Sequence, residues 1–190
     1  MSLMIRESPS HFAVHARGNK CRSSTVDIIF YAISECALGH VLVARTVAGV
    51  CAILIGTADK LEADLAARFR KARRVRNEAI VRDDLAKVIR FVDKPAEGLD
   101  LPLDPRGTPI RRRVWEKLRA IPLGRTVTYL ELARWVGPLT SACAVASACA
   151  ANPIALAIPC HRVVRSNGDL ANYRWGVERK RELIRKEAVA

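Results

Sequence analysis

Between residues 94 and 107 the chain carries Pro95, Pro102, Pro105, Gly98 and Gly107, and neither a continuous helix nor a central strand runs through such a stretch. The chain therefore reads as two halves joined by a linker, 25–101 and 102–190, behind a tail of residues 1–24. The first half is patterned for a sheet. Residues 26–33, 41–47 and 49–55 are short, rich in β-branched side chains and separated by turn signals at Leu38-Gly39 and Ala48-Gly49, which predicts an antiparallel meander. Two amphipathic helices follow, 59–69 with Leu61, Leu65 and Phe69 on one face and 80–92 with Val81, Leu85, Val88 and Val92. The basic run 68–76 between them reads as a solvated loop or helix end.

Beyond the linker the period is helical. Pro109 opens a helix to residue 120 with Ile110, Val114 and Leu118 at spacing four. Thr128 and Glu131 form a capping box, so a second helix starts near Tyr129 and stops at Gly137-Pro138. A third, 141–151, is nearly all Ala, Ser, Val and Cys and is expected to leave through a left-handed Asn152 before Pro153. The second and third helices, joined by a short turn, are a helix-turn-helix candidate. The last helix, 177–188, is charged and anchored by Leu183 and Ile184. The class is α+β.

Lys and Arg outnumber Asp and Glu by 32 to 19, and the excess is uneven: residues 1–104 carry 16 basic and 13 acidic side chains, residues 105–190 carry 16 and 6. A basic C-terminal half favours a polyanionic partner, although charge alone is equally compatible with a solvated surface. Residues 135–160 lack any Asp, Glu, Lys or Arg, but Pro138, Pro153 and Pro159 and the many small residues exclude a membrane span. The tail is polar with no apolar core of a signal peptide, so a mobile tail, reduced thiols and a cytoplasmic protein are expected.

Six cysteines, at 21, 36, 51, 143, 149 and 160, form no CxxC pair. His11, His15 and Cys21, with Cys36 or Cys51, match no zinc module by spacing, and Cys36, Cys51 and Cys149 read as core. Cys160-His161 is the pair with chemical interest, since a thiol attacks only as thiolate and an imidazole can supply that activation. Adjacent side chains need not face each other, so a buried structural cysteine remains the other reading.

The surroundings of that pair carry more. Asn152-Pro153, Ile158-Pro159-Cys160-His161-Arg162-Val163-Val164, Gly168 and Tyr173-Arg174-Trp175-Gly176 resemble the O6-alkylguanine-DNA alkyltransferases, as do Asp104-Pro105-Arg106-Gly107-Thr108, Val114-Trp115, Thr128-Tyr129 and residues 145–152. With Cys36 and residues 49–54 the resemblance spans roughly 25–188. It implies an RNase H-like N-terminal sheet domain and a helical domain with a winged-helix-like helix-turn-helix. The implied activity is single-turnover transfer of an alkyl group from guanine O6, and less so thymine O4, in double-stranded DNA to the protein's own cysteine. A C-terminal half of about 85 residues joined to a small sheet half suggests a monomer, and no cofactor or metal is expected.

By the same resemblance Cys160 is the acceptor, His161 deprotonates it through a water and Glu187 orients the imidazole, in the logic of a relayed triad. Asn152 links the third helix to the active-site turn, and Tyr129 assists base flipping and the leaving guanine. Val163 through its carbonyl, Tyr173 through its ring and Arg174 through its amide line the guanine pocket, and Ser166 touches the DNA backbone. Their plain alternatives are strand core for Val163, packing for Tyr173 and a turn residue for Ser166. Arg162 reads as a structural ion pair, and Lys180 either as an assistant near the thiolate or, in its charged surroundings, as a solvated side chain. Arg111, Arg112, Arg113, Arg134 and Arg165 are available for phosphate contacts. The chain departs from the family pattern at Cys143, where the resemblance implies an intercalating arginine; a cysteine there weakens the flipped state on duplex DNA. A binding-only sensor of alkylated DNA, a transcriptional regulator and a cysteine hydrolase are the competing classes.

Overall fold

The computed structural model describes residues 27–190, so the tail with His11, His15 and Cys21 lies outside the described residues. The meander forms as the pattern predicts: β1 (Ile28–Cys36), β2 (Gly39–Thr46) and β3 (Gly49–Gly56) pair antiparallel, with Ile33 opposite Leu42 and Val41 opposite Ile55. Seven of the eight β3 residues are buried, so β3 is covered on both faces and shows no polar alternation. Helices α1 (Ala58–Arg68) and α2 (Glu78–Asp93) pack on the sheet, α1 on β2 and β3 and α2 on β1 and β2. Asn77 caps α2 by accepting from the Ile80 amide, and the buried Asp84 of α2 is answered by Arg45 of β2 at 2.8 Å.

The basic run is not simply a loop. Its second half is β4 (Arg73–Arg76), which pairs parallel with β1 and makes the sheet mixed, in the order β3-β2-β1-β4. A four-residue strand carrying three arginines is a charged edge, a form that discourages further pairing. Its hydrophobic signal is a single half-buried Val75.

The opposite edge, β3, is capped by the chain itself. The proline-rich segment expected as a linker makes one 3-10 turn, Pro95–Glu97, and then docks on β3: the Val50 amide donates to Pro102 O at 2.7 Å and the Asp104 amide to Val50 O at 2.8 Å. This close approach requires Gly49, where φ is +144° and a Cβ would lie 2.5 Å from Pro102 O. Further along β3, the Ile53 amide donates to Pro153 O (2.9 Å) and the Ala155 amide to Ile53 O (3.0 Å). One contiguous core runs through both halves of the chain.

The C-terminal half contains α3 (Pro109–Arg119), α4 (Tyr129–Val136), α5 (Ala142–Ala150) and α6 (Val177–Ala188), with a short parallel pair β5 (Val127–Thr128) and β6 (Val163–Val164). Both halves of the Thr128–Glu131 capping box are present, and Ser141 caps α5 through the Ala144 amide. Trp115 of α3 donates its indole N–H to Ala148 O at 2.9 Å, tying α3 to α5. No helix among the described residues is long and apolar enough to cross a membrane.

Candidate active site

The site grows out of the end of α5. Asn152 is not the left-handed exit residue the sequence suggested, because its backbone does not adopt positive φ. Its side chain does the turning instead: Oδ1 accepts from the Ile154 amide (2.9 Å), and Nδ2 donates to Ile158 O (2.8 Å) and lies 3.4 Å from Cys160 Sγ. One fully buried amide thus closes an Asx turn, braces the next loop and places a donor on the thiol. Between those contacts Leu156 sits at φ +68°, a left-handed conformation that costs a non-glycine residue on the order of 1 kcal/mol, and its side chain is buried. The β3 bridge at Ile154 holds this loop, and residues Cys160–Arg162 follow as a single 3-10 turn.

Cys160 is 4% exposed and faces a cavity of about 550 Å³ whose wall includes Tyr129, Cys143, Cys149, Arg165, Tyr173 and Arg174. Burial pushes its thiol above the ordinary range, and the Asn152 amide and Lys180 offset this only in part, so the resting sulfur is protonated. Behind it, His161 Nε2 is 2.8 Å from Glu187 Oε1. Arg162 grips the same carboxylate, Nε to Oε2 at 2.8 Å and Nη2 to Oε1 at 3.0 Å, and donates from Nη1 to Ile121 O at 2.6 Å. Burial pushes the Glu187 carboxyl up, but the hydrogen bonds from His161 and Arg162 outweigh it and bring the group down to about 2. An ionised carboxylate only accepts, so Nε2 carries the imidazole proton and Nδ1 keeps its lone pair. Nδ1 is buried without a protein partner, and burial holds the imidazole below its ordinary range, neutral at pH 7.

Lys180 is the main surprise. Of its two readings the solvated one fails: it is fully buried and donates from Nζ to Val163 O and Leu170 O. It shares one stripe of α6 with Leu183 and Glu187, at spacings of three and four, and that stripe is the face turned to the core. The signal was in the sequence, masked by the neighbouring charges. Burial pushes the Lys180 ammonium below its ordinary range. Its ammonium takes one lone pair of the Val163 carbonyl and leaves the other, while Val163 itself is core and off the cavity wall.

Tyr129 opens α4 half-buried on the cavity wall, with burial and the nearby thiols Cys149 and Cys160 pushing its phenol up to about 12. Tyr173 is buried, also on the wall, and meets Trp175 edge-on at 5.2 Å. Arg174 lines the cavity while its guanidinium reaches Asp64 of α1 at 2.6 Å. Cys143 is exposed at the cavity, six residues and nearly two turns before the buried Cys149. Ser166 is exposed off the wall, in a turn closed by the Gly168 amide to Arg165 O (2.9 Å) and the Arg165 amide to Asp169 O (2.8 Å). Arg111, on α3, and Arg134, on α4, are not on the wall, and Arg113 is spent on Val136 O at 2.8 Å. The sequence reading gave no cavity role to Cys149, Ala171 or Asn172, which also form the wall; Ala171 stands at φ +57°. Among the described residues no three His, Cys, Asp or Glu side chains are grouped to hold a metal.

A cysteine in a closed turn, with a neutral imidazole held by a buried carboxylate and an apolar cavity in front, is an arrangement that can accept a group on sulfur. Comparison with known proteins agrees. Residues 109–189 match the family model for the 6-O-methylguanine DNA methyltransferase DNA-binding domain. The chain is 46% identical over 159 residues to the bifunctional transcriptional activator/DNA repair enzyme Ada of Escherichia coli K12, covering 83% of this chain and 45% of the relative. It is 49% identical over 81 residues to a methylated-DNA–protein-cysteine methyltransferase of Salmonella typhimurium, covering 43% and 47%. The crystal structure of Mycobacterium tuberculosis OGT in complex with DNA superposes with a TM-score of 0.65 at 28% identity, covering 85% of this chain and 93% of that one. The chain is thus similar to the O6-alkylguanine-DNA alkyltransferases, through residues 109–189 above all, and it spans about half the length of the curated relatives it matches.

Proposed function

We propose that this protein repairs DNA by direct reversal, transferring the alkyl group of O6-alkylguanine, and less readily O4-alkylthymine, to Cys160 in a single turnover. The observation that carries the reading is the arrangement at Cys160: a sulfur on the floor of a 550 Å³ cavity, an asparagine donor at 3.4 Å, and the buried His161–Glu187 pair behind. His161 Nδ1 takes the thiol proton by way of a water, and Glu187 balances the imidazolium that forms. The sulfur then attacks the alkyl carbon, the carbon–O6 bond breaks, and its electron pair passes to guanine. Tyr129, protonated at neutral pH, donates to the leaving base as negative charge develops on it.

The target carbon is buried in a stacked duplex, so the nucleotide must be extruded into the cavity. The α4–α5 pair with the β5–β6 ladder acts as a winged-helix-like helix-turn-helix, beside an RNase H-like sheet half, and α5 approaches the minor groove. Its Ala and Ser side chains permit close approach to the DNA backbone. Tyr173 and Arg174 border the base, and Ser166, Arg165, Arg111 and Arg134 contact phosphates. Cys143 stands where relatives are expected to wedge an arginine into the gap, and it is too short to fill the space left by the base. Losing that stacked guanidinium costs about 1–3 kcal/mol, or roughly ten- to a hundredfold in duplex repair.

Incubation with a duplex oligonucleotide carrying one O6-methylguanine, followed by peptide mass analysis of every cysteine, tests the reading. At most one methyl per chain, on Cys160, is the expected result. Binding without transfer, on duplex, single strand and free O6-benzylguanine alike, would refute it in favour of an alkylated-DNA sensor.

A further inference from the structure

A second cavity, of about 520 Å³, lies on the other side of Arg174, between the start of α1 and the segment leading into α6. The transfer chemistry does not use it. Its wall includes Thr57, Lys60, Asp64, Arg174, Trp175 and Arg179. Three cations therefore face one carboxylate, and that carboxylate is already shared, 2.6 Å from Arg174 and 3.3 Å from Arg68. Arg179 has no carboxylate partner among the described residues; its Nε and Nη1 donate to the carbonyls of Leu38 and Trp175. Arg68, at the rear of the cluster, keeps a buried Nη2 without a partner.

Two further features point the same way. The first turn of α1 enters this cavity with no side-chain cap from Thr57; the Lys60 amide donates to Thr57 O at 3.1 Å, and the two amides ahead of it and the positive end of the helix dipole remain for an anion. Asp59, the acidic residue of that turn, is not on the wall. Trp175, 6% exposed, also borders the cavity; its indole N–H is buried behind the wall without a partner, placed to report on an occupant rather than to bind one.

We propose that this cavity is a phosphate-binding site, taking a phosphate group from a free phosphorylated compound or from a DNA strand. Lys60 and Arg179 supply charge, and the α1 amides and the Thr57 hydroxyl supply directed donors. The site is independent of whether Cys160 accepts an alkyl group.

The test is a nitrogen-15 NMR titration of the full chain with inorganic phosphate, ionic strength held constant with chloride. Saturable shifts of the Trp175 indole and of the amides of residues 57–60 are expected, at phosphate concentrations on the order of millimolar. The indole of Trp135, exposed on α4, should stay still. Lys60→Glu, at an exposed position that leaves the fold intact, should weaken binding roughly tenfold. Unmoved Trp175 and 57–60 signals, equal shifts with chloride alone, or a response unchanged by Lys60→Glu would overturn the proposal. Unmodified duplex DNA then separates the two sources. Displacement of phosphate from these amides identifies a DNA phosphate as the natural occupant; phosphate retained while DNA shifts only α5 and Arg165 identifies a free phosphorylated compound.

Discussion

Replacing Glu187 by glutamine keeps the shape of the side chain and removes its charge. In the native protein that charge is 3% exposed and receives one bond from His161 and two from Arg162. The carboxyl stands at about 2 against an ordinary 4.5, and at roughly 1.4 kcal/mol per pH unit the gap corresponds to about 3 kcal/mol of stability. A depressed acid stabilises the fold fully above its unfolded value, so this contribution is present above pH 4.5 and is lost as the pH falls towards 2. Removing one partner of a buried ion pair costs about 3–5 kcal/mol, in agreement, because Arg162 is left charged with a glutamine amide turned towards it. The imidazole loses more than stability: the imidazolium that forms on taking the thiol proton has no counter-charge, and transfer should slow by about a hundredfold. Urea unfolding at pH 7 and pH 3, with single-turnover transfer from free O6-benzylguanine, reads both effects. The variant should lose about 3 kcal/mol at pH 7, and its difference from wild type should shrink at pH 3. A variant within 1 kcal/mol of wild type at pH 7 would show that the carboxylate does not hold Arg162 and His161 as described.

Cys143→Arg should raise the repair rate on duplex DNA about tenfold and leave transfer from free O6-benzylguanine unchanged; an unchanged duplex rate removes the argument about the missing wedge. Because burial lowers the His161 imidazole and keeps it neutral, the transfer rate should be flat across neutral pH and fall on an acid limb below 6.5, where protonation removes the base; a limb above 6.5 contradicts that environment. Gly124→Ala should destabilise by about 1–2 kcal/mol in urea, since the residue sits at φ +69° and a Cβ would meet Glu187 O at 2.9 Å; a neutral result would mean that the end of α6 yields at little cost.

Where the sequence was legible, the reason is periodicity. The three meander strands and all six helices announce themselves through β-branched runs, apolar spacing of three and four, the Pro109 start and the Thr128–Glu131 capping box, while the caps at Asn77, Thr108 and Ser141 emerge only in the structure. β4 was not legible because its pairing with β1 is long-range and three of its four residues are arginine. The docking of residues 102–104 on β3 was hidden for a related reason, since backbone hydrogen bonds leave no side-chain pattern. Only Gly49, which must lack a Cβ for Pro102 to approach, marks it in the sequence. At the site, Cys160, His161, Asn152 and Glu187 were named through the motif and converge in space, whereas the cavity wall at Ala171 and Asn172 depends on a left-handed backbone at an alanine that composition does not signal.

The position of Cys160 is set from two sides by parts of the chain far apart in sequence. On one side, edge strand β3 takes the turn after α5 as an added strand through Ile53, which fixes Asn152 and so the donor on the sulfur. On the other, the buried stripe of α6 holds the 3-10 turn through Glu187 and clasps β6 to the pocket loop through Lys180. Between these two supports the thiol is kept protonated and the imidazole neutral, and both are shielded from solvent. The sheet half therefore belongs to the active site without contributing a reacting group. A substitution on β3 that spares every motif residue, such as one that disturbs the Ile53 bridge, reaches the chemistry by moving Asn152 before it moves the cysteine.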